Sequence, residues 1–186
     1  MSIRRCAFFI VIFSAVFTGS SYAQQKQTAG SFWENLIPQL QKVLGCTAER
    51  RVTDIVASAD VTGDGVPEAL VAYCNEGAYT ATVALIRLEE NRPVPAKFRD
   101  SHHHVIQLEF LMGASVRNGE ATALLPAKHA VYSLTWHTDD NGKLDTCTAK
   151  AFVWTSRSAT FDESPTTSKE LAKRECARLR RELPTR

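Results

Sequence analysis

Apolar positions along this chain follow three rhythms, and each predicts a different element. In "SFWENLIPQLQKVLG" (31–45), Trp33, Leu36, Ile37, Leu40 and Leu44 recur at the spacing of one helix face. Ser31 and Glu34 open that stretch as a capping box, and Gly45 closes it as a C-terminal cap would. Pro38 inside it predicts either a kink or a fresh start. "ALVAYC" (69–74) and "TATVALIRL" (80–88) are nearly continuous apolar runs, which suits central strands covered on both faces, with "NEGA" between them as a hairpin turn.

Strict alternation is the third rhythm. In "VIQLEFLM" (105–112), Ile106, Leu108, Phe110 and Met112 share one side. Turns at "RNGE" and "DDNGK" separate "ATALLPA", "AVYSLTWHT" and "LDTCTAKAFVW". Tyr132, Leu134 and Trp136 line one face, and the small residues Cys147, Ala149 and Ala151 line one face of the next strand, so large side chains meet small ones. "EENRPVPAKFRD" (89–100) and "SRSATFDESPTTS" (156–168) read as loops. Thr167 and Glu170 form a second capping box, opening a helix whose stripe is Ala172, Cys176, Leu179 and Leu183 before Pro184 stops it. The pattern predicts an α+β protein: an antiparallel sheet of about six to eight strands, flanked by a helix near each end.

Residues 1–23 carry Arg4 and Arg5, then an apolar run from Cys6 to Val16, then Ser21-Tyr22-Ala23. This is the pattern of a secretory signal peptide cut before Gln24, and its apolar core is shorter than the roughly 20 residues of a membrane span. A polar lead-in (24–30) and a single domain (31–186) would follow, in the periplasm or outside the cell. Without the signal, 20 basic residues face 20 acidic ones. That balance excludes the sustained basic surface a nucleic-acid binder needs, and the basic residues of the last helix alternate with Glu170, Glu175 and Glu182. Cys46, Cys74, Cys147 and Cys176 show no CxxC, so an oxidising compartment predicts two disulfides. The pairing Cys46–Cys74 and Cys147–Cys176 would staple each terminal helix to a strand.

The stretch richest in chemistry is "DVTGDGVPE" (60–68). Asp60, Thr62 and Asp64 occupy alternate positions, Gly65 supplies a sharp turn, Val66 offers a carbonyl and Glu68 closes the loop. Calcium needs several hard oxygens brought around one centre by such a turn. An EF-hand would place a glutamate where Val71 stands, and that reading fails. A metal-free Gly-rich turn also fits these residues. Against it, no Lys or Arg lies between residues 52 and 86 to neutralise the carboxylates locally.

The loop resembles the calcium loops of FG-GAP and VCBS-type repeats, in which a D-x-[DN]-G-D-G-x-x-[DE] segment joins two strands of an exported protein. The resemblance implies Asp60, Thr62, Asp64 and Glu68 as side-chain ligands of calcium and Val66 as a carbonyl ligand. A looser similarity is to small exported domains in which a "GDGVPEALV" strand runs into a cysteine, here Cys74. A non-catalytic interaction module with a structural calcium loop, contacting another envelope or extracellular macromolecule, is the expectation.

"SHHHV" (101–105) supplies the competing chemistry. His102 and His104 point the same way on an extended chain and would share a transition metal if a third ligand came from elsewhere; a polar strand start is the simpler reading. With that site the chain would be a cell-envelope enzyme or inhibitor. His129 and His137 fall on the solvent side of their strand, without an evident partner. G-x-S-x-G and H-E-x-x-H are both absent from the sequence.

Overall fold

The computed structural model describes residues 32–46, 52–73, 80–114 and 118–183. The expected signal segment, the lead-in, Ser31 and Cys74 lie outside them. Eleven strands form one sheet: β1 (Val52–Ala59), β2 (Glu68–Tyr73), β3 (Thr80–Glu89), β4 (Arg92–Pro95), β5 (Phe98–Arg99), β6 (Val105–Ile106), β7 (Phe110–Ala114), β8 (Asn118–Leu125), β9 (Ala130–Thr138), β10 (Leu144–Thr155) and β11 (Thr160–Glu163). A helix at Ile37–Val43 precedes them and a helix at Pro165–Glu182 follows. None of the described helices is long and apolar enough to cross a membrane.

The strand count exceeds the expected six to eight because two segments that read as loops are extended and paired. Residues 92–99 carry β4 and β5, and residues 160–163 are β11. Glu90 and Asn91, both at positive φ (51° and 62°), turn β3 back onto β4 as a two-residue hairpin whose twist matches the strands. Pro93 and Pro95 read as breakers, yet their carbonyls can still accept ladder hydrogen bonds.

Strand order follows β1-β2-β3-β7-β8-β9-β10-β11-β5-β6, with β4 on β3. The segment 92–99 therefore pairs with β3 through its first half and, in parallel, with β11 through its second. The path β3-β7-β8-β9-β10-β11 closes on itself through this one segment. At the closure Phe98 is 2% exposed and meets Phe110, Phe152 and Phe161 at centroid distances of 5.4, 5.2 and 5.6 Å. Ile106, Leu108 and Met112 pack on the same core, so the alternation in 105–112 holds even though the strand breaks between β6 and β7.

Two further cores lie under the helices. Trp33 and Leu40, both fully buried, pack on Ala69, Val71, Tyr73, Ala84 and Ile86 of β2 and β3. Since Leu70, Ala72, Val83 and Leu85 face the first core, these two strands are covered on both sides. The N-terminal helix does restart: residues 32–34 are helical, residues 35 and 36 turn, and Pro38 sits in the first turn of the new helix. Gly45 (φ 66°) and Cys46 end it by donating to the Lys42 and Gln41 carbonyls, at 3.2 and 2.9 Å.

At the other end Leu171, Cys176 and Leu179 cover Tyr132, Leu134 and Ala151. Tyr132, Leu134 and Trp136 stand opposite Ala151, Ala149 and Cys147, the large-against-small register expected. A disulfide joins Cys147 of β10 to Cys176 of the helix. Cys46 is also disulfide-bonded, and its expected partner Cys74 lies outside the described residues. The helix cap differs from expectation. Ser164, not Thr167, is the N-cap; its hydroxyl accepts from the Thr167 amide and Pro165 takes the first turn. Glu170 instead pairs with Lys128.

Candidate functional site

The acidic loop connects β1 to β2, two antiparallel neighbours, and its two ends are fixed differently from its rim. Val61 is fully buried in the first core. The Trp33 indole N–H donates to the Pro67 carbonyl at 3.0 Å, and the Ser58 hydroxyl donates to the Glu68 carbonyl at 2.9 Å. These contacts tie the loop's base to the N-terminal helix and to β1.

Glu68, only 2% exposed, acts from below. Its Oε2 accepts the Val61 amide at 2.8 Å and the Thr62 amide at 3.1 Å, and its Oε1 accepts the Thr62 hydroxyl at 3.1 Å. Burial pushes the Glu68 carboxyl above its ordinary value, and the three donors only partly oppose that. Asp60 works from within the loop: one carboxylate oxygen accepts the Gly63 amide at 2.6 Å and the other accepts the Gly65 amide at 2.9 Å. Asp64, exposed on the rim, accepts the Val66 amide at 2.8 Å. Gly63 and Gly65 carry φ of 78° and 85°, the left-handed backbone that aims both amides at Asp60.

This arrangement divides the expected ligand set. Asp60 and Asp64 stand toward the rim, where their remaining lone pairs are available to a hard cation. Thr62 and Glu68 are directed at each other and hold the turn closed. Among the described residues no three His, Cys, Asp or Glu side chains gather as a metal cage, and none of the ion pairs involves Asp60, Asp64 or Glu68. The rim presents the hard carboxylate oxygens of Asp60 and Asp64. The inward glutamate does not reach outward in this conformation.

His129 is a neighbour that the sequence did not suggest. It sits at φ 48° after the 3₁₀ turn Pro126–Lys128, and its imidazole lies over Gly63, so that a Cβ there would come 3.0 Å from the ring. The only sequence signal was an isolated exposed histidine beside a turn. His137 meets the Asn118 side chain through Nδ1 instead of pointing free into solvent. His102 and His104 lie just ahead of the start of β6 at Val105. They occupy a tight turn between β5 and β6, with His103 at φ 64°.

A separate open groove of about 530 Å³ runs between β10 and the start of the C-terminal helix, lined by Ser133, Thr135, Thr148, Lys150, Glu163 and Ser168. Lys150 and Glu163 face each other across 3.4 Å within it, and its walls carry hydroxyls. No protein-family model, curated protein or solved structure matches this chain.

Proposed function

We propose that the chain is an exported, non-catalytic interaction module whose 60–68 loop takes calcium as a structural ion. The observation that carries the reading is the loop's construction: its own amides organise Asp60 and Asp64 at the rim while their charges go without a basic side-chain partner among the described residues. An ion there would be held by Asp60 and Asp64, with the Val66 carbonyl as a further oxygen. Thr62 and Glu68 would shape the turn from below, and recruiting them as ligands would require opening their mutual hydrogen bond.

Because the amides already satisfy part of each rim carboxylate, the affinity belongs to the weak class of extracellular modules, roughly 0.1 to 1 mM. The disulfide between Cys147 and Cys176 accords with an oxidising compartment. The partner class is another envelope or extracellular macromolecule.

Thermal unfolding of the purified, oxidised chain in millimolar calcium and in EDTA tests the proposal, with magnesium as the control ion. Calcium at a few times its dissociation constant should add about 1 kcal/mol, a rise of roughly 2–4 °C in Tm for a chain of this size. Asp60→Ala and Asp64→Ala should abolish that rise. An unchanged wild-type Tm would refute the calcium assignment.

A further inference from the structure

The turn between β5 and β6 is built around one carboxylate. Asp100 Oδ1 accepts the amides of both His102 and His104, each at 2.9 Å. The Asp100 amide donates to the His104 carbonyl at 3.0 Å, and the His103 amide donates to the Asp100 carbonyl at 2.9 Å. These four bonds bend residues 100–104 so that His102 and His104, both exposed, bring their ring centroids to 6.2 Å. Asp100 Oδ2 lies 3.5 Å from His104 Nδ1.

That last contact has a chemical consequence. The two amides fix the Asp100 carboxylate in place, with its second oxygen turned to the His104 ring. An anion beside Nδ1 favours the tautomer with the proton on Nδ1, which leaves the Nε2 lone pair facing solvent. Carboxylate–histidine pairs orient metal-binding imidazoles in this way. A zinc ion held by two imidazole nitrogens at about 2.0–2.1 Å sets ring centroids roughly 5 Å apart at a tetrahedral angle, so modest side-chain rotation takes the pair from its present spacing to ligation.

We propose that His102 and His104 ligate one divalent transition-metal ion of the zinc class, with Asp100 as the positioning residue. No third His, Cys, Asp or Glu among the described residues completes the sphere. The remaining positions therefore belong to water, and the ion is exchangeable and open to a donor from a bound molecule. Imidazole nitrogens select borderline ions over calcium, so this site is chemically distinct from the acidic loop.

Zinc titration of the purified, oxidised, chelator-stripped chain, followed by calorimetry and by the histidine ring proton signals, tests it. One zinc per chain should bind and shift the signals of His102 and His104. His102→Ala and His104→Ala should each weaken binding at least tenfold. His103→Asn, which tolerates the left-handed backbone, should change it less than twofold. Asp100→Asn keeps an oxygen for the two amides but loses the charge, and should weaken binding about tenfold. Failure to saturate, or zinc binding that survives loss of both His102 and His104, would overturn the site. Binding that is untouched in Asp100→Asn would overturn the positioning role. Asp60→Ala should leave zinc binding intact, which separates this result from the fate of the calcium loop.

Discussion

Glu68 shows how one buried carboxylate can both build a turn and tie its stability to pH. Removing it in Glu68→Ala strands the Val61 and Thr62 amides beneath the loop, and an expected loss of about 3 kcal/mol follows from leaving such donors unpaired. Chemical denaturation measures it. The pH dependence has a definite sign. A carboxyl raised above its ordinary 4.5 binds more protons folded than unfolded in the interval above that value. Its contribution is therefore full below 4.5 and declines as pH rises through the folded value. Glu68→Gln removes the titration and should flatten that segment of the stability–pH curve. A curve with unchanged slope would show that the segment belongs to another group.

At the level of elements, the disulfide between β10 and the C-terminal helix reinforces contacts that already exist. Tyr132, Leu134, Leu171 and Leu179 bury that interface without it. Cys147 and Cys176 are 29 positions apart, and a link of that span should contribute about 3–4 kcal/mol by restricting the unfolded chain. The Cys147→Ser, Cys176→Ser double variant should keep the far-ultraviolet circular dichroism of the parent and unfold at lower denaturant by that amount. What the sequence revealed at this scale was periodic. The helix face through Trp33 and Leu40, the doubly buried β2 and β3, and the Tyr132–Ala151 register all follow from patterns within one or two elements. The true cap at Ser164 was masked by the competing Thr167/Glu170 spacing. The strands in 92–99 and 160–163 were hidden although β4 and β11 each fold back on the strand just before them: prolines suggested interruption in the first, polar turn residues masked the second, and the parallel β5–β11 pairing joins segments far apart in sequence. The acidic loop was visible as composition and turn chemistry. The inward turn of Glu68 and the approach of His129 to Gly63 depend on tertiary packing that no local pattern encodes.

For the whole molecule, the four-ring meeting at Phe98 joins strands that the chain visits at widely separated times. Truncating it in Phe98→Ala should cost about 3–5 kcal/mol, the range for a buried phenylalanine. Amide hydrogen exchange should then accelerate in β4, β5 and β11 together, while the helix-covered Trp33 and Tyr132 cores keep more of their protection. Uniform acceleration across all three cores would show that they unfold as one unit.

The bridging segment also sets a problem of timing during synthesis. Residues 92–99 emerge before β11 exists, so β5 must wait with half its ladder open, and an unpaired strand of this kind invites a foreign chain. Its composition guards the interval: Lys97 and Arg99 flank Phe98 and place like charges on any second copy that approaches, and Pro93 and Pro95 remove amides from the adjoining β4. The prolines disguise β4 as a loop, while the charges beside Phe98 keep β5 available for the last strand to arrive.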